Sequence, residues 1–289
     1  MSLKPLDVAQ QVKQLATLPE VCIKINSLAE DSNASTRDIK AVIETDAVLT
    51  SKILQVANSS FYGNAAKVDD LNRAIMLIGT QGLRDITWAT SAISSFASLS
   101  NKFVDMPTFW KHSLYSATVA RTLASKCRII HKDRIFLSGL LHDIGHLALY
   151  QVMPEEMEVV FSRAEDQQEP IQVSEKAVIG FTHAAVGFAL LKLWKVPDSV
   201  CRAVAFHHVP GKAEEYRLES AVIHLSDEIA KLSGVRGNHL DTPVKIDPNA
   251  WKITGLTEKI IDSVVQVSEQ QYSEAISLYL KAENMNNAA

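Results

Sequence analysis

Between Ile135 and Val152 the chain is apolar almost throughout, yet the middle of that run carries His142, Asp143 and His146. Such a centre is expensive in lipid and Arg134 stands at its edge, so the run reads as a helix buried in protein and not as a membrane span. The stretch Asp133 to Leu149 (DRIFLSGLLHDIGHLAL) is apolar on nearly every side, which predicts one core helix enclosed by other elements. Burial then makes a demand on the acid: a carboxylate away from water has to be protonated, ion-paired or metal-bound.

Elsewhere apolar residues recur at three- and four-residue intervals and alternating runs are scarce, so the expected fold is all-α. Pro19, Pro107, Pro154, Pro197, Pro210 and Pro248 fall where one helical pattern stops or another starts, as suits a residue without an amide donor. Ser35 opens one helix, with Asp38 in its first turn. A polar stretch from Ser98 to Pro107 separates a helical block ending near Phe96 from one beginning near Trp110. The expected organisation is an N-terminal helical lobe over residues 1–100 and a second helical lobe over 107–281, with 282–289 too poor in apolar residues to pack.

With 289 residues, 47% of them hydrophobic, the chain is long enough to bury a sizeable core. Lys and Arg number 29 against 33 Asp and Glu, a net charge of −4 without a basic stripe, so nucleic acid is not an expected partner. Cys22, Cys127 and Cys201 show no CxxC spacing, which argues against a disulfide framework or a cysteine zinc site and suits a reducing compartment. The segment MSLKPLDVAQQVKQL lacks the apolar core of a secretory signal, so the expectation is a cytoplasmic protein with no membrane partner.

Other ligand-type side chains also lie on apolar stripes. His112 shares a face with Tyr115, Val119 and Leu123, and His183 shares one with Gly187, Leu190 and Trp194. His207 follows Ala203 and Val204, His208 follows Cys201, Val204 and Ala205, and Asp227 lies between Ile223 and Ala230. Singly, each has an ordinary explanation: a core histidine with its own partner, a pair at a helix C-terminus favoured by the dipole, or an aspartate matched by Lys or Arg. Seven such placements on five helical segments would each need a separate buried partner, whereas one shared site satisfies them together. The candidate metal ligands are therefore His112, His142, Asp143, His183, His207, His208 and Asp227. A carboxylate has two oxygens, so the His142-Asp143 pair can serve adjacent ions. Nitrogen and oxygen donors without thiolate suit Fe, Mn, Co, Ni or Zn over Mg or Ca, for one or two divalent ions.

His142 and His146 are four apart, as in an HExxH metalloprotease helix, but Asp143 shortens the reach of a general base and Gly145 weakens the helix. His146 is better placed behind the ligands or against a bound phosphate; Lys111, Arg202 and Lys212 are further phosphate candidates, although exposed basic residues are ordinarily just solvated. His224, three before Asp227, is either its hydrogen-bonding support or a core histidine, while His131 and His239 read as surface. Asn58 to Gly63 (NSSFYG) reads as a helix-ending loop with an aromatic anchor.

In order along the chain, His112, His142-Asp143 and Asp227 resemble the pattern of the HD superfamily, and His183 with His207-His208 are similar to the extra ligands of its dimetal HD-GYP branch. That resemblance implies two metals, with Asp143 bridging them and serving to activate hydroxide. LPEVCIKINSLAEDSNASTRDIKAVIETDAVLTSKILQVANSSFYG and LNRAIMLIGTQGLRDI resemble the N-terminal lobe of the HDOD family. FWKHSLYSATVA, GLLHDIGHLALY, HAAVGFALLKLWKVP and AFHHVP resemble its second lobe, an HD-superfamily helical bundle, so the likeness runs from about Leu18 to Ala230. It implies a signalling output or regulatory protein working with separate signalling partners, here with its metal site intact. The alternative it implies is an active metal-dependent phosphohydrolase acting on a phosphomonoester, nucleotide or phosphodiester. No GYP follows HHVPGK, and His146 stands where a lysine commonly follows the HD pair, so cyclic dinucleotide hydrolysis is not expected.

Overall fold

The computed structural model describes residues 3–16, 18–31, 33–63, 67–97, 101–238 and 243–280, and among them the regular structure is helical, with no strand. In chain order the helices are α1 (Pro5–Leu15), α2 (Glu20–Glu30), α3 (Thr36–Ile43), α4 (Ala47–Ala57) and α5 (Leu71–Phe96). They continue with α6 (Met106–Lys126), α7 (Lys132–Leu141), α8 (Ile144–Val152), α9 (Pro154–Gln167) and α10 (Ile171–Val178). The last are α11 (His183–Leu193), α12 (Asp198–Phe206), α13 (Arg217–Leu232), α14 (Pro248–Thr254) and α15 (Ile261–Tyr279). Short polar side chains start many of them by accepting bonds from orphan amides. Ser35 and Asp38 close a reciprocal capping box on α3, and Asp46, Asp70, Asp105, Thr182 and Asp247 cap α4, α5, α6, α11 and α14. Pro107, Pro154 and Pro248 sit in first turns, and Pro19 and Pro197 occupy N-caps. Gly79, at φ 76°, breaks the regular geometry inside α5.

The chain forms two compact units, divided at residues 17/18, 97/98 and 268/269. The unit that carries the histidines therefore includes α1, where the sequence placed residues 1–100 in the other lobe. Its apolar stripe, with Val8, Ala9 and Val12 fully buried, packs on α8 and α11. Periodicity identifies a buried stripe but not the surface that covers it. The other unit contains α2–α5 and the end of α15, which the sequence had assigned to the 107–281 lobe. There Glu274 accepts hydrogen bonds from the backbone N–H and hydroxyl of Ser60, and Lys52 lies 5.4 Å from the Tyr279 ring centre. Asn58 caps the end of α4 and ties its amide to both the N–H and the carbonyl of Val68, so that this loop ends a helix as expected. Residues 98–100 of the expected boundary, His239 and the tail 282–289 lie outside the described residues.

A second difference bears on the site. The single core helix expected over Asp133 to Leu149 is two helices, because helical backbone geometry runs through His142, is lost at Asp143 and resumes at Ile144. His142 is the C-cap of α7 and Asp143, at φ −99° and ψ 7°, the N-cap of α8. The flanking segments are equally apolar, so the hydrophobic pattern carries no mark of the break. No single described helix is long and apolar enough to cross a membrane; α10 and α11 pass such a test only as a pair bent by 84°.

Just beyond the break, α8 meets α11 backbone to backbone. A Cβ on Gly145 would stand 2.0 Å from the carbonyl oxygen of His183 and 2.7 Å from the amide nitrogen of Gly187. Gly145→Ala is accordingly expected to force the two helices apart at a cost of roughly 1–3 kcal/mol or more. Urea unfolding of the purified variant checks this, and an unchanged midpoint would contradict so close an approach.

Candidate metal centre

Five helical segments converge on the turn between α7 and α8: α6 packs against α7 and α13, α11 against α8 and α12, and α12 against α7 and α13. His112 comes from α6, His142 and Asp143 from the break, His183 from the first position of α11, His207 from the C-cap of α12 and Asp227 from α13. His112, His142, His183 and His207 are fully buried, Asp227 nearly so, and Asp143 keeps 13% of its side chain exposed. With His208, which follows His207, all seven side chains proposed from the sequence are brought together.

Asp143 stands between two sets of imidazoles. Its Oδ2 lies 3.2 Å from His142 Nε2 and 3.7 Å from His112 Nε2, while Oδ1 lies 3.3 Å from His183 Nε2 and 3.7 Å from His207 Nε2. Asp227 Oδ1 is 3.3 Å from His112 Nε2 and 3.6 Å from His142 Nε2, and His208 Nε2 is 2.8 Å from His183 Nε2. The donors form two groups, each spanning no more than 4.8 Å: Asp143, His183, His207 and His208 in one, and His112, His142 and Asp227 in the other.

The far side of each ring explains its orientation. The Nδ1 of His112 meets the carbonyl of Val235 at 2.8 Å, that of His142 the carbonyl of Gly139 at 2.8 Å, and that of His207 the carbonyl of Val204 at 2.7 Å. A carbonyl only accepts, so each Nδ1 carries a proton and each ring turns its Nε2 inward, where a lone pair is available once no second proton is bound. Those three Nε2 atoms and Asp227 Oδ1 are buried and make no hydrogen bond. Facing acceptors without a cation between them are costly, and their separations match what metal–ligand bonds of about 2.0–2.2 Å require at tetrahedral or octahedral angles. The donor set is thus able to hold divalent metal.

In the metal-free state protons do that work. Burial opposes the charged form of His142, but Asp143 and Asp227 outweigh it and raise its pKa to about 10. Burial likewise opposes protonation of His183, and Glu175 with Asp143 raises it to about 9. Burial, reinforced by those cationic neighbours, pushes His207 down to about 3 and His146 to about 4, and burial with His207 and His183 holds His208 well below its ordinary value. Burial would raise both aspartates, yet His142 and His183 hold Asp143, and Lys231 with His112 and His142 hold Asp227, well below the carboxylate range.

The remaining candidates separate. His146 stacks on His183 with ring centres 3.7 Å apart, and its Nδ1 is 3.3 Å from Glu175. It does not share a group with His142, as an HExxH arrangement would require, because the helix breaks between them. His224 does not support Asp227; its Nδ1 meets the carbonyl of His207 and its Nε2 accepts from the amide of Asp247, both at 2.8 Å. Lys111 and Lys212 are exposed and Arg202 turns to Asp198, 3.5 Å away, so none of the three lines the cavity at the centre. That cavity, about 50 Å³, is bounded by Asp143, His146 and His183 together with Lys231, Arg236 and Lys245. The three basic residues and Glu175 were missed. Lys231, 2.7 Å from Asp227, had a signal in its i+4 spacing; Glu175 is eight residues from His183 on another helix and had none.

A family model for the HDOD domain matches residues 15–210. An uncharacterized protein of Treponema pallidum (strain Nichols) is 25% identical over 231 residues, which are 78% of this chain and 44% of that one, so the chain spans less than half the length of this curated relative. Among solved structures, an HDOD domain protein of unknown function from Geobacter sulfurreducens has a TM-score of 0.75 at 22% identity, covering 96% of this chain and 98% of its own. A candidate phosphohydrolase from Shewanella amazonensis SB2B has a TM-score of 0.71 at 19% identity, covering 94% and 96%. At these identities the structures speak to the fold.

The opposed shifts set a pH signature for chelator-treated protein. His142 and His183 are raised above 6.5, so what they contribute to stability is present below that pH and lost as pH rises through about 9 and 10. His146, His207 and His208 are lowered, so their contribution is present above 6.5 and lost as pH falls toward about 4 and 3. Thermal melts of the metal-free protein between pH 4 and 10 should therefore peak near pH 6.5, and a melting temperature that climbs steadily to pH 10 would contradict the assignment.

Proposed function

Since this chain belongs to the HDOD family, we propose that its centre holds two divalent ions across Asp143 and works as a metal-dependent phosphohydrolase on a phosphate ester. The observation that carries this reading is the set of buried, unsatisfied donors converging on one carboxylate that opens into a cavity with a basic wall. Bound ions there would neutralise phosphate charge and lower the pKa of a water toward neutrality. The chain's own residues do the rest. Asp143 offers one oxygen to each donor set, and the carbonyl-anchored imidazoles hold their lone pairs in place without reorganisation. Lys231, fixed by Asp227 and Glu228 at 2.7 and 3.0 Å, keeps a positive charge on the cavity wall. His146 lines the same cavity, which supports a role for it in contacting a bound phosphate. A space of about 50 Å³ takes a few water-sized groups, which is room for a phosphoryl head.

A second reading, a signalling output module in which the centre is structural or sensory, is favoured by a different observation. The family match runs through α2–α5, which supply none of the seven ligands, and these helices leave Ile23, Val48 and Met76 exposed at 56%, 56% and 78%. A unit that adds no ligand to the centre suits contact with a partner protein, and these side chains are candidates for that contact.

Elemental analysis of protein purified without chelator, followed by a panel of phosphomonoesters and phosphodiesters on the same sample, separates the two. The first reading expects about two ions per chain and turnover, with Asp143→Ala losing both. Two ions without turnover on any ester would favour the output module, and a protein that takes up no metal would refute both.

A further inference from the structure

We infer that Glu175 is a positioning residue that makes the two halves of the centre unequal, giving the His183 half its hold on metal. The inference rests on the two-ion reading above.

Glu175 is fully buried in α10, and its contacts among the described residues are not with lysine or arginine. Oε2 accepts from the backbone N–H of His183 at 2.9 Å and from its Nδ1 at 2.8 Å, with Oε1 at 3.0 Å from the same Nδ1. Oε1 also lies 3.3 Å from Nδ1 of His146, whose ring is stacked on His183. One carboxylate thus grips the first backbone amide of α11 and the outer edge of the His183 ring, with the unbonded Nδ1 of His146 beside it, while the Nε2 atoms of His183 and His146 lie 3.3 and 3.9 Å from Asp143 Oδ1. The donors of His146, Glu175 and His183 lie within 4.8 Å of one another, but His183 already commits two N–H groups to the carboxylate, which marks it as the acceptor behind the ring.

The other half is built differently. His112 and His142 are backed by neutral carbonyls, and the anionic ligand Asp227 is partly neutralised by Lys231 at 2.7 Å. His207 is backed by a carbonyl as well and the Nδ1 of His208 has no hydrogen-bond partner, so among the described residues His183 is the one imidazole ligand with an anion behind it. A carboxylate accepting the outer N–H makes an imidazole a stronger donor and fixes its direction. Charge from behind reaches the Asp143, His183, His207 and His208 group and not the His112, His142 and Asp227 group.

Glu175→Gln keeps the size and one acceptor but removes the charge. Chelator-treated wild type and variant are titrated with cobalt(II), followed by visible absorption, and His112→Ala and His207→Ala assign each binding step to its half. Expected is a weakening of about 10- to 100-fold at the His183 half with the other step unchanged, and partial recovery in Glu175→Asp. Equal weakening of both steps, or none, overturns the inference; a loss of folding in Glu175→Gln leaves Glu175→Asp to decide by the same asymmetry. If wild type takes up one ion only, the two-ion reading fails. The role of Glu175 then stands where that single ion is lost in His207→Ala and weakened in Glu175→Gln, and falls otherwise.

Discussion

One carboxylate with two oxygens, placed where a core helix breaks, is the constraint around which the histidine-bearing unit is arranged. Asp143 cannot be buried without charge of opposite sign on both faces, and its oxygens meet Nε2 atoms delivered by α6, α7, α11 and α12. Bringing five segments that close requires backbone to touch backbone. At Gly139 an added Cβ would stand 2.7 Å from Cα of Ala117, and at Gly145 it would strike the first turn of α11. The missing side chains set the spacing of the histidines as directly as the histidines' own positions do.

Helix ends supply much of the orientation. The last turn of a helix leaves carbonyls without an intrahelical donor. His142 and His207 are both C-caps, and each turns Nδ1 onto the carbonyl three residues back, Gly139 and Val204. A local need at the end of α7 and of α12 thus selects the tautomer that the centre requires. His112 and His183 sit away from such ends and are oriented from a distance, by Val235 after α13 and by Glu175 on α10.

The unit built from α2–α5 follows other rules. It shares the family match with the first unit yet adds no ligand, and Glu274 near the end of the described chain bonds back to Ser60 within it.

Ligand-type residues on apolar helical stripes announced, from the sequence alone, an all-α protein with a shared polar centre, because burial of His112, His142, His183, His207 and Asp227 follows from their neighbours at three- and four-residue spacing. Capping residues such as Ser35 were equally legible, since a cap acts within one turn. Only the tertiary structure decided the break at His142-Asp143, the place of α1 beside α11, Glu175 behind His183 and the basic wall from Lys231, Arg236 and Lys245. Each of these depends on which surfaces meet. A one-dimensional pattern records that a side chain must leave water, while the partner it finds there is settled by the packing of segments far apart in the chain.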